Sequence, residues 1–179
     1  MKFFGFALTL FLFTACAPGK FATLKNKYPE GPYIIKSEKS KDQVWDNLID
    51  FFAQNGIRIS IIDRSSGLLI TNEKTPLTVT TEDKTGKIIS ENAYVVAPRY
   101  YDPNQKKWYS PVTASGEWNV RIKENGTGST ININLLNVKA SYKQSLVKPV
   151  NYKVTESEFT SIGYTTHKFE AGIATYLNK

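Results

Sequence analysis

The sequence predicts an α+β fold, with a mostly antiparallel sheet packed against one helix near the N-terminus and another at the C-terminus. Three observations carry that expectation. A capped amphipathic pattern occupies residues 40–54. Two alternating runs, 114–123 and 129–138, flank Asn125-Gly126. Apolar residues then recur at helical spacing between Ile162 and Leu177. Helices and strands are segregated along the chain, which favours antiparallel pairing over alternating βαβ units.

Each element has a local cause. Tyr33-Ile34-Ile35-Lys36 reads as a short first strand. Ser40-Lys41-Asp42-Gln43 is a capping box, in which the Ser40 hydroxyl accepts from the Gln43 amide and the Gln43 side chain reaches back. Val44, Leu48, Phe51 and Phe52 follow at i, i+4, i+7 and i+8, widened by Trp45 and Ile49. Asn55-Gly56 supplies a left-handed stop. Residues 57–62 and 68–71 read as a hairpin around the turn Asp63-Arg64-Ser65-Ser66-Gly67. Residues 78–81 favour a strand, 82–86 a polar turn, and 88–97 a longer strand. Residues 98–111 carry Pro98, Pro103 and Pro111 among four aromatics and read as a loop. Trp118, Val120 and Ile122 mark the next strand, and Asn125-Gly126 turns it into a partner carrying Ile131, Ile133 and Leu135. Residues 140–158 fit no single pattern. Ile162, Phe169, Ile173 and Leu177 share one face of a final helix, bordered by Tyr176.

The chain of 179 residues suits one domain, and 41% apolar content is enough for a core without disulfides or structural metal. A single cysteine excludes an intramolecular disulfide and a multi-cysteine metal site. The net charge of +7 would allow nucleic-acid binding, but an exported protein meets lipid head groups, lipopolysaccharide phosphates and cell-wall polymers instead. The lysines are dispersed, so the charge can also serve only solubility.

Export is read from the first sixteen residues. Lys2 is followed by a nearly unbroken apolar run, Phe3 to Phe13. As a helix it would span roughly 16 Å, short of the ~30 Å hydrocarbon core, which suits a signal peptide better than a membrane span. The run ends in Phe13-Thr14-Ala15-Cys16, which resembles the lipobox of bacterial lipoproteins. Ala15 and Cys16 match that pattern, Thr14 is acceptable, and Phe13 stands where leucine is usual. The resemblance implies cleavage before Cys16, a diacylglyceryl group on its thiol and an acyl group on its amine. The other reading makes Cys16 an ordinary small residue in a simple signal peptide. The expected organisation is a signal peptide at 1–15, a lipidated flexible tether at 16–32 rich in Pro and Gly, and a single α+β domain at 33–179.

A second resemblance lies in the domain. Val44-Trp45-Asp46-Asn47-Leu48, Gly56-Ile57 and the run Ile62 to Thr71 are similar to helix-grip domains of Gram-negative envelope lipoproteins, a type also carried by the accessory lipoprotein of the outer-membrane β-barrel assembly machine. It covers roughly residues 33–72 and, more loosely, 161–177. It implies a sheet gripping a helix and a non-enzymatic envelope role. Ala17 in place of the aspartate that retains some lipoproteins at the inner membrane favours an outer-membrane, periplasm-facing location.

No catalytic or metal-binding constellation is expected, and no cofactor. His167 is the sole histidine and reads as a surface or boundary residue. Glu156 and Glu158 read as a solvated face, Ser65-Ser66-Gly67 as turn chemistry, and Gly126-Thr127-Gly128 lacks the lysine of a phosphate loop. The candidate binding surface is the 98–111 segment, where Tyr100, Tyr101, Trp108 and Tyr109 lie among Arg99, Lys106 and Lys107. It could stack on sugars, seat a protein or sit at a lipid interface; alternatively its rings fold back over the sheet edge. The expected partners are a membrane, through lipid on Cys16, and an envelope protein, with no nucleic acid. A scaffold or partner-binding subunit is the first reading. A lipid or glycan carrier using a sheet–helix groove or the aromatic loop is the alternative, and a weak hydrolase a third.

Overall fold

The computed structural model describes residues 18–143 and 158–178. The expectations for the signal segment, for Cys16, for Glu156 and for 144–157 fall outside the described residues. Within them the fold is α+β, with a mostly antiparallel sheet and one helix near each end.

After a two-residue strand β1 (Lys20–Phe21) comes β2 (Tyr33–Ser37), then helix α1 (Lys41–Gln54). Both halves of the capping box form: the Gln43 amide donates to the Ser40 hydroxyl at 3.3 Å, and the Ser40 amide donates to the Gln43 side-chain oxygen at 3.0 Å. Val44, Trp45, Leu48, Phe51 and Phe52 are buried along one stripe. Gly56, at φ 66°, takes the left-handed conformation that the chain reversal needs.

The hairpin of β3 (Ile59–Asp63) and β4 (Leu68–Thr71) follows. Asp63 organises its turn, with one carboxylate oxygen accepting from the Ser65 hydroxyl at 2.6 Å and the Ser66 amide at 3.2 Å. The Ser65 and Ser66 hydrogen bonds hold its pKa down at about 2. Gly67 closes the turn at φ 70°, and a Cβ there would lie 2.2 Å from the Ile122 carbonyl oxygen, so only glycine fits.

Strands β5 (Thr75–Leu77), β6 (Val79–Thr80) and β7 (Val95–Val96) are short. The longer strand expected over 88–97 is reduced to an isolated bridge at Ile88 and the two residues of β7. Asp83 draws the Thr85 and Lys87 amides into a tight loop, and the polar Ser90-Glu91-Asn92 makes a turn, so extended pairing has no room. The loop expected over 98–111 is instead a hairpin of β8 (Tyr100–Asp102) and β9 (Lys107–Tyr109). The three prolines lie outside both strands and cost no ladder hydrogen bonds. Asp102 accepts from the Asn104 and Gln105 amides and so builds the turn between them.

The main sheet is dominated by β10 (Thr113–Asn125) and β11 (Gly128–Lys143), joined by Gly126-Thr127. Asn125 pairs with Gly128, and Gly126 at φ 64° is the first turn residue. Strand β11 carries β2 and β12 (Glu158–Ile162) end to end along its outer side, and β10 carries β4 and β5 in the same way, with β3 outermost. Every pairing in this sheet is antiparallel. Strand β13 (Tyr164–Thr165) joins β7 and β6 in a small sheet whose β6–β7 pair is parallel.

Helix α2 (Lys168–Leu177) packs against α1 and β2. Phe169, Ile173 and Leu177 are buried on one face, as the spacing predicts. Ile162 is not on that face: it ends β12, pairs with Lys139, and is 72% exposed. The left-handed His167, at φ 60°, breaks any continuous helix between them. Both helices cover the sheet face formed by Ala114, Trp118, Val120, Ile122, Ile131 and Ile133. At the centre the Trp118 ring stacks on Phe169 with centroids 4.4 Å apart.

Candidate functional site

Strand alternation divides the aromatic set. Tyr100 pairs with Tyr109, Tyr101 with Trp108, and Asp102 with Lys107, so successive residues project to opposite faces of the hairpin. Tyr100 turns inward: it is buried and packs on Phe21 and Tyr142. Tyr142 in turn donates to the Pro98 carbonyl and lies 2.8 Å from the Ser161 hydroxyl, tying the hairpin to the main sheet. Lys107 sits over the Tyr109 ring on this same side, and Tyr109 donates to Gln105. Lys106 occupies the turn at φ 52°.

The other face gathers Tyr101, Trp108, Arg99 and Lys20. The Tyr101 and Trp108 rings lie 5.1 Å apart. Arg99 lies 5.5 Å above Trp108, and Lys20 lies 5.6 Å above Tyr101. These are cation–π separations. Trp108 keeps 38% of its surface open to solvent, unlike Trp45 and Trp118, which are buried. The hairpin divides its rings between the two arrangements that the sequence left open: Tyr100 folds back over the sheet, and Tyr101 with Trp108 faces out. The residue that sequence reasoning missed is Lys20. It arrives because β1 pairs with β8, Lys20 opposite Tyr101 and Phe21 opposite Tyr100.

A second long-range device holds the same N-terminal segment. Residues 18–32 carry no regular structure beyond β1, and they lie along the domain through β1 and the contacts below. The buried Glu82 carboxylate accepts from the Lys25 amide at 2.5 Å, the Asn26 amide at 3.0 Å, the Asn26 side-chain nitrogen at 2.9 Å and the Tyr28 hydroxyl at 2.7 Å. Burial alone would raise its pKa, but these donors outweigh burial and hold it below the usual carboxylate range. Tyr28 responds oppositely: burial, then its bond to the Glu82 anion, pushes its pKa up to about 12.

Between this strap and β12–β13 runs a groove of about 940 Å³, lined in part by Phe21, Leu24, Tyr28, Pro98, Ile162 and Tyr164. The space between sheet and helices is filled by Trp118, Phe52, Leu48 and Leu69, all fully buried.

Titratable groups elsewhere have structural surroundings. His167 precedes α2, packs edge-on against Tyr33 at 5.0 Å, and has its pKa lowered by burial. Glu170 is buried, its pKa raised by that burial, with one oxygen accepting from the Thr165 hydroxyl at 2.9 Å. Ser65 and Ser66 are engaged by Asp63. Among the described residues no cluster of three or more His, Cys, Asp or Glu is placed to hold a metal ion. No described helix is long and apolar enough to cross a membrane. The chain matches no model of a known protein family, and no curated protein matches it as a relative.

Proposed function

We propose that this chain is a lipid-anchored protein of the cell envelope, held on the membrane through Cys16 and acting as a non-enzymatic scaffold or partner-binding subunit. The observation that carries the reading is the lone cysteine directly after Ala15 at the end of an apolar run, four residues before the first strand paired to the domain. The fold supports it. A mostly antiparallel sheet with one helix near each end is compatible with the helix-grip resemblance, which implies a non-enzymatic envelope role. Ala17, where some inner-membrane lipoproteins carry aspartate, favours the outer membrane and a periplasm-facing domain.

Mass spectrometry of the native protein tests the anchor. The N-terminal peptide is expected to begin at Cys16 with a diacylglyceryl thioether, and Cys16→Ser is expected to move the protein out of the membrane fraction. Two or three acyl chains give stable attachment, at roughly 0.8 kcal/mol per buried CH₂. A bare thiol at Cys16, or a mature chain still starting at Met1, would overturn the reading. Crosslinking in intact cells then identifies the partner.

A carrier of lipid or glycan is the second reading, and the groove beside the strap favours it. Its volume of about 940 Å³ is in the range of small-molecule sites, and its lining mixes aromatic and polar groups. Native mass spectrometry of protein isolated in mild detergent is expected to reveal a bound molecule if this reading holds. A clean apo mass would set it aside.

A further inference from the structure

We propose that the outward face of the β8–β9 hairpin, completed by Lys20, is the membrane-facing surface of the domain and rests on the anionic head groups of the bilayer that holds the acyl chains. This inference rests on the lipid attachment of Cys16 proposed above. Three independent features point to it.

The first is chain length. Lys20 belongs to the patch and follows Cys16 by four residues, so even a fully extended chain keeps the anchor within about 14 Å of it. Lys20 is fixed in register by pairing with Tyr101, and the Glu82 latch holds the next turn of the strap. A longer free tether would let the domain tumble; this one brings a particular face to the bilayer.

The second is composition. Trp and Tyr prefer the membrane–water boundary, where an apolar ring and a polar edge are both satisfied. Trp108 is part-exposed there, and Tyr101 lies against it. The third is charge. Arg99 and Lys20 share that face, Lys106 is exposed in the hairpin turn, and cations so placed are drawn to anionic lipid.

Trp108 provides the readout, because Trp45 and Trp118 are buried. The lipidated protein beginning at Cys16 is reconstituted into vesicles of phosphatidylethanolamine and phosphatidylglycerol carrying lipids brominated near the carbonyl. Vesicle flotation and tryptophan emission are recorded together. The expected result is flotation with a blue shift and loss of the Trp108 emission, absent in Trp108→Phe and reduced in the Lys20→Gln/Arg99→Gln double variant or in phosphatidylcholine vesicles. Flotation with Trp108 still open to acrylamide would overturn the surface while leaving the anchor intact. Equal quenching on neutral vesicles would overturn the anionic assignment. Shielding seen in native membranes but not on pure lipid would mean a protein occupies the face, which also overturns it. Failure to float would remove anchor and surface together.

Discussion

Replacing Glu82 with alanine is expected to release the N-terminal strap while leaving the main sheet folded. The carboxylate is the common acceptor for two backbone amides, one side-chain amide and one phenol. Hydrogen bonds to a charged group contribute about 1.5–3 kcal/mol each, but the freed donors of a released strap return to water and regain chain entropy. A net loss of about 2–4 kcal/mol is therefore expected, confined to the strap. Amide hydrogen exchange should report it as lost protection at Lys25 and Asn26, with β10 and β11 unchanged. Glu82→Gln should fall between, since its amide NH₂ meets donors where an oxygen stood. Acid should mimic the variant. The folded pKa lies below the ordinary value, so the latch is at full strength above the ordinary carboxylate range and is lost as pH falls through the lowered folded value. Uniform loss of protection across the sheet in Glu82→Ala would show that the strap is part of the global folding unit and defeat the prediction.

Trp118→Ala is expected to have the largest effect on global stability. The side chain is fully buried between sheet and helices, and its ring stacks on Phe169. Phe169 also meets Phe51, Phe52 and Tyr94, so the cavity would open at the junction of α1, α2 and β10. Large-to-alanine changes of this kind cost about 3–5 kcal/mol, which for a domain of this size lowers Tm by roughly 10 °C. Trp118→Phe should cost far less. The indole Nε1 is buried without a hydrogen-bond partner among the described residues, so phenylalanine removes an unsatisfied donor along with some volume. Thermal unfolding of the two variants decides it: a loss for alanine as small as that for phenylalanine would mean that packing at this site is loose and that the stack contributes little.

The two predictions depend on different ranges of interaction, and so did the reading of the sequence. Helix α1 was legible because its causes lie within one or two turns: the Ser40–Gln43 box, the stripe from Val44 to Phe52, and Gly56. The β10–β11 pair was legible from alternation and from one glycine turn. Misreadings came where tertiary pairing overrode local pattern. Ile162 kept helical spacing with Phe169 but was drawn into β12 by Lys139. Residues 98–111 looked like a loop because of their prolines, yet the six strand residues between them pair with one another and with β1.

The candidate surface shows the same division. Its aromatics and Arg99 could be named from sequence, because the residue types themselves suggest stacking and cation–π contact. Which rings face out could not, since Tyr100 is turned inward by Phe21 and Tyr142. By itself the sequence determined the secondary elements with short-range causes, the α+β class and the chemical character of the 98–111 segment. Only the tertiary structure decided that Lys20 completes that face and that Glu82 latches the strap, because those partners lie 54 or more residues apart and no periodicity or cap encodes a pairing at that distance.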